Sequence, residues 1–344
     1  MGLLWQKTDI RNYGIQETLR ERRKKQIMAG IKIIGLGKSQ GDKVVTNDDL
    51  AQIVDTSDQW VRAKTGIKSR YFAENKTNED MAFEAASQAI ENAGIDRKEI
   101  AMCIVCTFTP DDYTPAVACN VAGRLGLLEQ IQAYDINGAC SGFIYGCNLA
   151  NGLLACQQEK YALVIGSEKI SPLMDMTDRG TCVLFGDGAG AAVLKYDPAA
   201  DFVFYAGCAA NKEILYCSRQ DKAIKMAGQE VYRFAVSKVP ECIKAVLDEA
   251  GYTDKEIDHF VCHQANERII DNAARRISKD TDKFFKNLYD YGNTSAASIP
   301  IALCEMEEQG LLHAGSKLVC TGFGAGLTYG CMLVTFCPGS GASG

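Results

Sequence analysis

Two stretches far apart in this chain are near copies of each other. ENAGIDRKEI, residues 91–100, and DEAGYTDKEI, residues 248–257, align with Gly94 on Gly251 and Ile100 on Ile257, an offset of 157 in both cases. Each copy follows a helical pattern, stops it at a glycine and leads into an apolar run, so each reads as the same helix–turn–strand unit. A chain built on such a repeat is constrained to form two related halves. Equivalent element ends then fall at equivalent places, and in open α/β sheets sites gather beyond the carboxyl ends of the strands.

The rest of the pattern fits an alternation of strands and helices. IKIIGLG from Ile31 reads as a strand, Asn47–Val54 as a helix, and Thr77-Asn78-Glu79-Asp80 as the cap of a helix running to Asn92 and stopping at Gly94. AMCIVCTF is the next strand, Pro115–Leu125 a helix with proline at its start, and Gln132–Ile136 a short strand. YALVIG and AGAAVLKY close this half as strands. Apolar strands alternating with helices predict an α/β class with a largely buried, mostly parallel sheet. We place the halves at 28–200 and 201–337. Residues 1–27 carry seven Lys/Arg against three Asp/Glu, about +4, and read as a disordered basic extension. PGSGASG, 338–344, reads as a flexible tail.

With 344 residues, 47% of them hydrophobic, the chain can bury a large core. A formal charge of −6 without a basic, aromatic-interleaved patch in the body of the chain argues against nucleic acid as a partner. No apolar run is long enough to span a bilayer, so no membrane partner is expected. Fifteen cysteines, an odd number, without a signal-like start point to a reducing, cytoplasmic setting. The one CxxC, Cys103 to Cys106, falls within a strand whose positions i and i+3 face opposite ways, which disfavours metal or redox use.

Chemistry centres on DINGACSGFIYGCNLANGLLAC, residues 135–156. After the Gln132–Ile136 strand, Asn137-Gly138-Ala139 makes a tight turn that delivers Cys140 to the start of a helix, Ser141–Cys156, apolar or small on nearly every face. Free helix-terminal N–H groups and the helix dipole would favour thiolate there, which makes Cys140 the candidate nucleophile. At the repeat offset Cys106 corresponds to His263, one of three histidines, in DHFVCHQAN, and Cys140 corresponds to position 297, four residues after Asn293 in YGNTSAASIP. His263 therefore ends a strand and suits a site, whereas Asn293 taken alone reads as an ordinary helix cap. GFGAGLTYG, 322–330, gives a glycine-rich turn whose N–H groups can approach a reacting oxygen. GDGAG, 186–190, precedes a strand and lacks a Walker lysine, so it is not read as a nucleotide loop.

GACSGF around Cys140, HQANERI at 263–269, GNTSAASIP at 292–300 and GFGAGLTYG at 322–330, in this order, resemble the β-ketoacyl-acyl carrier protein synthase III family of the thiolase superfamily. DTSDQWVRAKTGI and DRGTCVLFGDGAGAAVL match it too, so the resemblance covers essentially all of 28–337. It implies a thiolase-like αβαβα five-layered fold from two duplicated halves, as a homodimer. It implies an acyltransferase that initiates type II fatty acid synthesis without metal or organic cofactor. Cys140 would take the acyl group from an acyl-CoA. His263 and Asn293 would hold the thioester carbonyl of malonyl-acyl carrier protein during decarboxylation, and the carbanion would attack acyl-Cys140. The resemblance puts the oxyanion between the N–H groups of Cys140 and Ala325, Phe323 beside the nucleophile, and Thr114 at the partner subunit's acyl pocket. For coenzyme A it points to Trp60 and Arg179 around the adenine, with Thr56 and Asn266 nearby and Lys64 where the family commonly has arginine. Arg268, Arg233, Arg275 and Arg276 would face the acidic carrier protein. Alternatives are a related condensing enzyme of specialised, polyketide-like metabolism, a cysteine acyl-CoA hydrolase, and a non-catalytic acyl-CoA binder.

Overall fold

The computed structural model describes residues 30–157, 161–220 and 222–339. The basic extension expected at 1–27 lies outside the described residues. The chain forms β1 (Gly30–Gln40), β2 (Lys43–Thr46), α1 (Asn47–Ala51), α2 (Asp58–Thr65), β3 (Ser69–Phe72) and α3 (Asn78–Ala93). There follow β4 (Ile100–Cys106), α4 (Val117–Leu125), β5 (Gln132–Ile136), α5 (Gly142–Gln157), β6 (Tyr161–Glu168) and β7 (Gly188–Asp197). It continues with β8 (Val203–Cys208), β9 (Leu215–Cys217), β10 (Ile224–Met226), α6 (Gly228–Ala250), β11 (His259–Cys262) and α7 (Glu267–Ile277). The last elements are α8 (Leu288–Tyr291), α9 (Ser298–Glu308), β12 (Ser316–Gly324) and β13 (Thr328–Phe336).

The main sheet runs β5-β4-β6-β7-β1 and then β13-β12-β11, with β8 also on β13. Counted within its own half, the first series reads third, second, fourth, fifth, first. The second half repeats it: β11, β12, β13 and β8 stand second, fourth, fifth and first. The third place is reduced to a bridge from Phe284 to Phe260 on β11. The sequence repeat therefore has a topological counterpart.

Alternation along the strands builds the layers. Cys103 and Val105 of β4 face α3 and α4, packing with Met81, Ala85 and Val121. Ile104 and Cys106 face the other way, onto Phe143 and Cys147 of α5 and Ile299 and Leu303 of α9. Those two helices also receive Leu318, Cys320, Met332 and Val334 of β12 and β13. The far faces of the same strands, Val319, Cys331 and Leu333, meet Val239 and Ile243 of α6 and Ile270 of α7. The result is helix, sheet, helix, sheet, helix, with the cysteine-bearing helix in the middle layer. The two CxxC thiols lie in different layers, as the period of two requires.

The sheet is less parallel than the pattern predicts. β4–β5, β4–β6, β11–β12 and β1–β13 are parallel, but β6–β7, β1–β7, β12–β13 and β13–β8 are antiparallel. The chain between β6 and β7, and between β12 and β13, contains no crossover helix, so each strand returns beside its predecessor in the opposite sense. Two helices are also shorter than expected. The first ends at Ala51, and α4 begins at Val117, after a cis Thr114–Pro115 bond. Its start is fixed from another element: Asp135 of β5 accepts from Val117 N at 2.8 Å and Ala118 N at 2.9 Å. Of the segment read as a tail, Gly339 still donates to Ile34 O at 2.8 Å, and 340–344 lie outside the described residues.

Candidate active site

Cys140 sits in a short 3-10 turn, Ala139–Ser141, immediately ahead of α5. Ala139 is in the left-handed region at φ 46°, so the chain turns sharply just before the thiol. The helix begins at Gly142, one residue later than expected, but its N-terminus still points at Cys140. The ends of β12 and β13 press on this turn. A Cβ on Gly324 would come within 2.7 Å of Cys140 N, so only glycine lets the GFGAGLTYG turn reach the nucleophile.

His263 follows the last residue of β11, and its N–H extends the ladder to Thr321 O at 2.7 Å. The ring is buried, with Nδ1 2.6 Å from Ser298 Oγ at the start of α9. Ser298 Oγ also accepts from Gln264 N at 3.4 Å. Nδ1 is thus engaged and Nε2 is the ring nitrogen left for a ligand; Ser298 donating to Nδ1 would put the ring hydrogen on Nε2. Burial pushes His263 down to about 3, so the ring is neutral throughout the physiological range. Phe323 crosses it edge-on with ring centres 5.5 Å apart.

Asn293 is held by a strand-like bridge to Phe185: its N–H donates to Leu184 O at 2.8 Å and its carbonyl accepts from Gly186 N at 3.1 Å. Gly292 makes this possible, with φ at 64° and Leu184 O 2.8 Å from where a Cβ would stand. Asn293 Oδ1 accepts from Ser295 N at 2.9 Å. Its other amide atom, Nδ2, is thereby the end that can donate to a ligand. The cap reading of Asn293 does not hold: the residues at the starts of the 3-10 turn and of α9 are Thr294 and Ala297, and Oδ1 closes only a local turn.

One cavity of about 370 Å³ is lined by Cys140, His263, Asn293, Phe323 and Ala325 together, with Asn266 at its edge and apolar walls from Leu184, Phe185, Ile224 and Met226. It presents a thiol, two N–H donors and a glycine-rich turn to the same space. The thiol differs from the sequence expectation in one respect. Burial raises it to about 12, against a smaller lowering by the Ser295 hydroxyl, so the helix start alone does not leave a resting thiolate.

Outside the cavity, Arg179 lies over Trp60 with the guanidinium carbon 4.7 Å from the ring centre, and Arg179 Nη1 donates to Asp55 O at 3.0 Å. The two side chains touch, so a flat base entering between them displaces Arg179. Thr56 Oγ1 is buried without a hydrogen-bond partner among the described residues. Lys64 is exposed, and its carbonyl accepts from Asn266 Nδ2 at 3.1 Å. Arg268 is exposed and reaches Ala63 O; Arg233 pairs with Glu230 at 2.7 Å; Arg276 donates to Val236 O at 2.6 Å; Arg275 is exposed. Thr114 is exposed and does not line its own chain's cavity. Sequence reasoning missed Ser298, Ser295 and Glu168. The two serines stand inside the quoted GNTSAASIP run, and Glu168 is a charged residue ending an apolar strand, which is itself a signal.

Residues 134–209 match the family described as 3-oxoacyl-(acyl-carrier-protein) synthase III, and residues 247–336 match the description of its C-terminal part. A β-ketoacyl-(acyl-carrier-protein) synthase III of Clostridium acetobutylicum is 41% identical, over 89% of this chain and 99% of its own length. The crystal structure of the 3-oxoacyl-(acyl-carrier-protein) synthase III of Aquifex aeolicus superposes with a TM-score of 0.86 at 40% identity, covering 89% of this chain and 100% of that one. The chain belongs to the β-ketoacyl-(acyl-carrier-protein) synthase III family. It is accordingly a condensing enzyme, an acyltransferase of fatty acid synthesis with the thiolase fold. The priming β-ketosynthase of the R1128 polyketide pathway is also similar, with a TM-score of 0.86 and 30% identity over 90% of this chain and 97% of that one. Among the described residues no helix is long and apolar enough to cross a membrane, and no group of three or more His, Cys, Asp or Glu is arranged to hold a metal ion.

Proposed function

We propose that Cys140 accepts an acyl group from acyl-CoA and that His263 and Asn293 then promote decarboxylation of malonyl-acyl carrier protein, whose carbanion takes the acyl group from Cys140. The observation that carries this reading is the single cavity lined by all three residues. Thiolate is both nucleophile and leaving group, so one cysteine can accept and surrender the chain. The tetrahedral oxyanion would lie between the N–H groups of Cys140 and Ala325. Decarboxylation requires no base. It requires donors aimed at the oxygen where charge grows, and a neutral imidazole with Nε2–H and an amide with free Nδ2 meet that need in a buried site. The reaction draws on no metal or organic cofactor in this scheme.

Coenzyme A would lie along Trp60 and Arg179 with Thr56, Lys64 and Asn266 in reach, and the unpartnered Thr56 hydroxyl fits a ligand contact. Arg268, Arg275, Arg276 and Arg233 would steer the acidic carrier protein, with Arg233 weakened by its Glu230 pair. A homodimer would add β5, the edge strand of the sheet, to its copy and bring Thr114 to the partner's acyl pocket. We place the enzyme in the cytoplasm. The test is formation of β-ketoacyl-carrier protein from malonyl-carrier protein and a graded set of acyl-CoA starters. His263→Ala and Asn293→Ala are each expected to slow it by about 10²–10³. Normal turnover in either variant would refute their roles. Similarity to a polyketide priming enzyme favours a second reading, the same chemistry with a starter of specialised metabolism. Turnover with that starter set but not with carrier protein of fatty acid synthesis would select it.

A further inference from the structure

The mechanism above leaves a question in the site: what takes the proton from a thiol that burial holds protonated? Glu168, the last residue of β6, is a fully buried carboxyl outside the residues this mechanism uses. Its Oε2 accepts from Thr109 Oγ1 at 2.6 Å, Thr107 Oγ1 at 3.2 Å and Phe108 N at 3.2 Å, all on the segment after β4. Its Oε1 is buried with no hydrogen-bond partner among the described residues, and so is Ser295 Oγ. The Ser295 hydroxyl lies close enough to act on both the Glu168 carboxyl and the Cys140 thiol, although neither contact is closed to an ordinary hydrogen bond. Ser295 also lines the cavity and is held with φ at 51°, a conformation rare for a residue with a Cβ. The turn that carries Ser295 packs against both β6, which carries Glu168, and the turn that carries Cys140, so an unpaired carboxyl oxygen, an unpaired hydroxyl and the reacting sulfur stand on three elements in contact through that turn.

Resting on the condensing role proposed above, we propose that Ser295 and Glu168 form the proton relay that activates Cys140. In acyl transfer the Sγ–H bond breaks, its proton passes to Ser295 Oγ, and the hydroxyl hydrogen of Ser295 passes to Glu168 Oε1. The Sγ–C bond forms as the thioester C–S bond breaks, and coenzyme A leaves as a thiolate that takes a proton from water. Condensation later expels Cys140 as a thiolate, and Glu168 returns the proton by the reverse path. Ser295 lines the cavity with the reacting sulfur. Glu168 acts through Ser295.

The titratable groups facing Glu168 are the thiols of Cys140 and Cys106, and its other partners are neutral. Burial raises Glu168 to about 8, so the carboxylate that takes the proton is the minor form at pH 7 and grows in through pH 8, while the acid is at hand to return it. The test follows alkylation of Cys140 by iodoacetamide, read by peptide mass, from pH 6 to 10. It uses Glu168→Gln, which keeps the shape, and Ser295→Gly, which suits the positive φ and leaves the carboxyl in place. Each is expected to slow alkylation at pH 7 about tenfold and to remove the inflection near 8. The double variant should be no slower than either single one, and Glu168→Asp should restore part of the rate. Wild-type profiles in both single variants would overturn the relay. So would a loss in Glu168→Gln that Ser295→Gly does not share. Because alkylation needs no acyl substrate, failure here is distinguishable from failure of the condensation reading, which the acyl-transfer product reports.

Discussion

At the scale of single residues, the chemistry depends on hydrogen atoms being in the right place. Ser298 is the clearest case, because its hydroxyl engages Nδ1 of His263 and leaves Nε2 as the ring nitrogen for the cavity. Ser298→Ala is expected to slow condensation about tenfold, the worth of one such hydrogen bond, while acyl transfer to Cys140 proceeds at the wild-type rate. Measuring the two steps separately checks it. His263 also links stability to pH. Its folded pKa of about 3 lies below the ordinary histidine value of 6.5, so between those values the unfolded chain binds a proton that the folded chain does not. Stability contributed by the neutral ring is full above 6.5 and falls as pH drops toward 3, by about 1.4 kcal/mol per unit for one proton. Denaturant unfolding of His263→Asn between pH 7 and 5 should show a shallower loss than the wild type.

Elements matter here through their ends. The turn joining β12 to β13 reaches Cys140 because Gly324 has no side chain. Gly324→Ala would push a methyl carbon against Cys140 N, a backbone atom that cannot turn aside. We expect about 10²-fold slower acyl transfer in a protein that still folds, checked by single-turnover kinetics beside a thermal melt. The positions of Cys140 and His263 were legible in the sequence, since a tight turn before an apolar helix and a 157-residue repeat are both local or periodic signals. The Ser298–His263 contact and the packing of the Ser295 turn against the end of β6 at Glu168 were not, because each brings together ends of elements far apart in the chain and no spacing announces them. Asp135 capping α4 escaped for the same reason.

For the whole molecule, duplication explains why a buried site can exist at all. Two copies of one strand order pack their inner helices, α5 and α9, back to back. That brings Cys140 from the first half and His263 and Asn293 from the second to the lining of one cavity. The α/β class was readable from the alternation of apolar strands and helices, whereas the five layers came only with the family resemblance. The return of β7 and β13 in antiparallel sense was not, since an apolar strand buried on both faces looks the same in either direction. The central claim is that this buried thiol carries the acyl chain between two substrates. Its most direct test is intact mass of the protein after mixing with an acyl-CoA, before and after a chase with malonyl-acyl carrier protein. The account predicts one acyl adduct, absent in Cys140→Ala, that leaves as β-ketoacyl-carrier protein. No adduct, or an adduct released only as free acid, would contradict it.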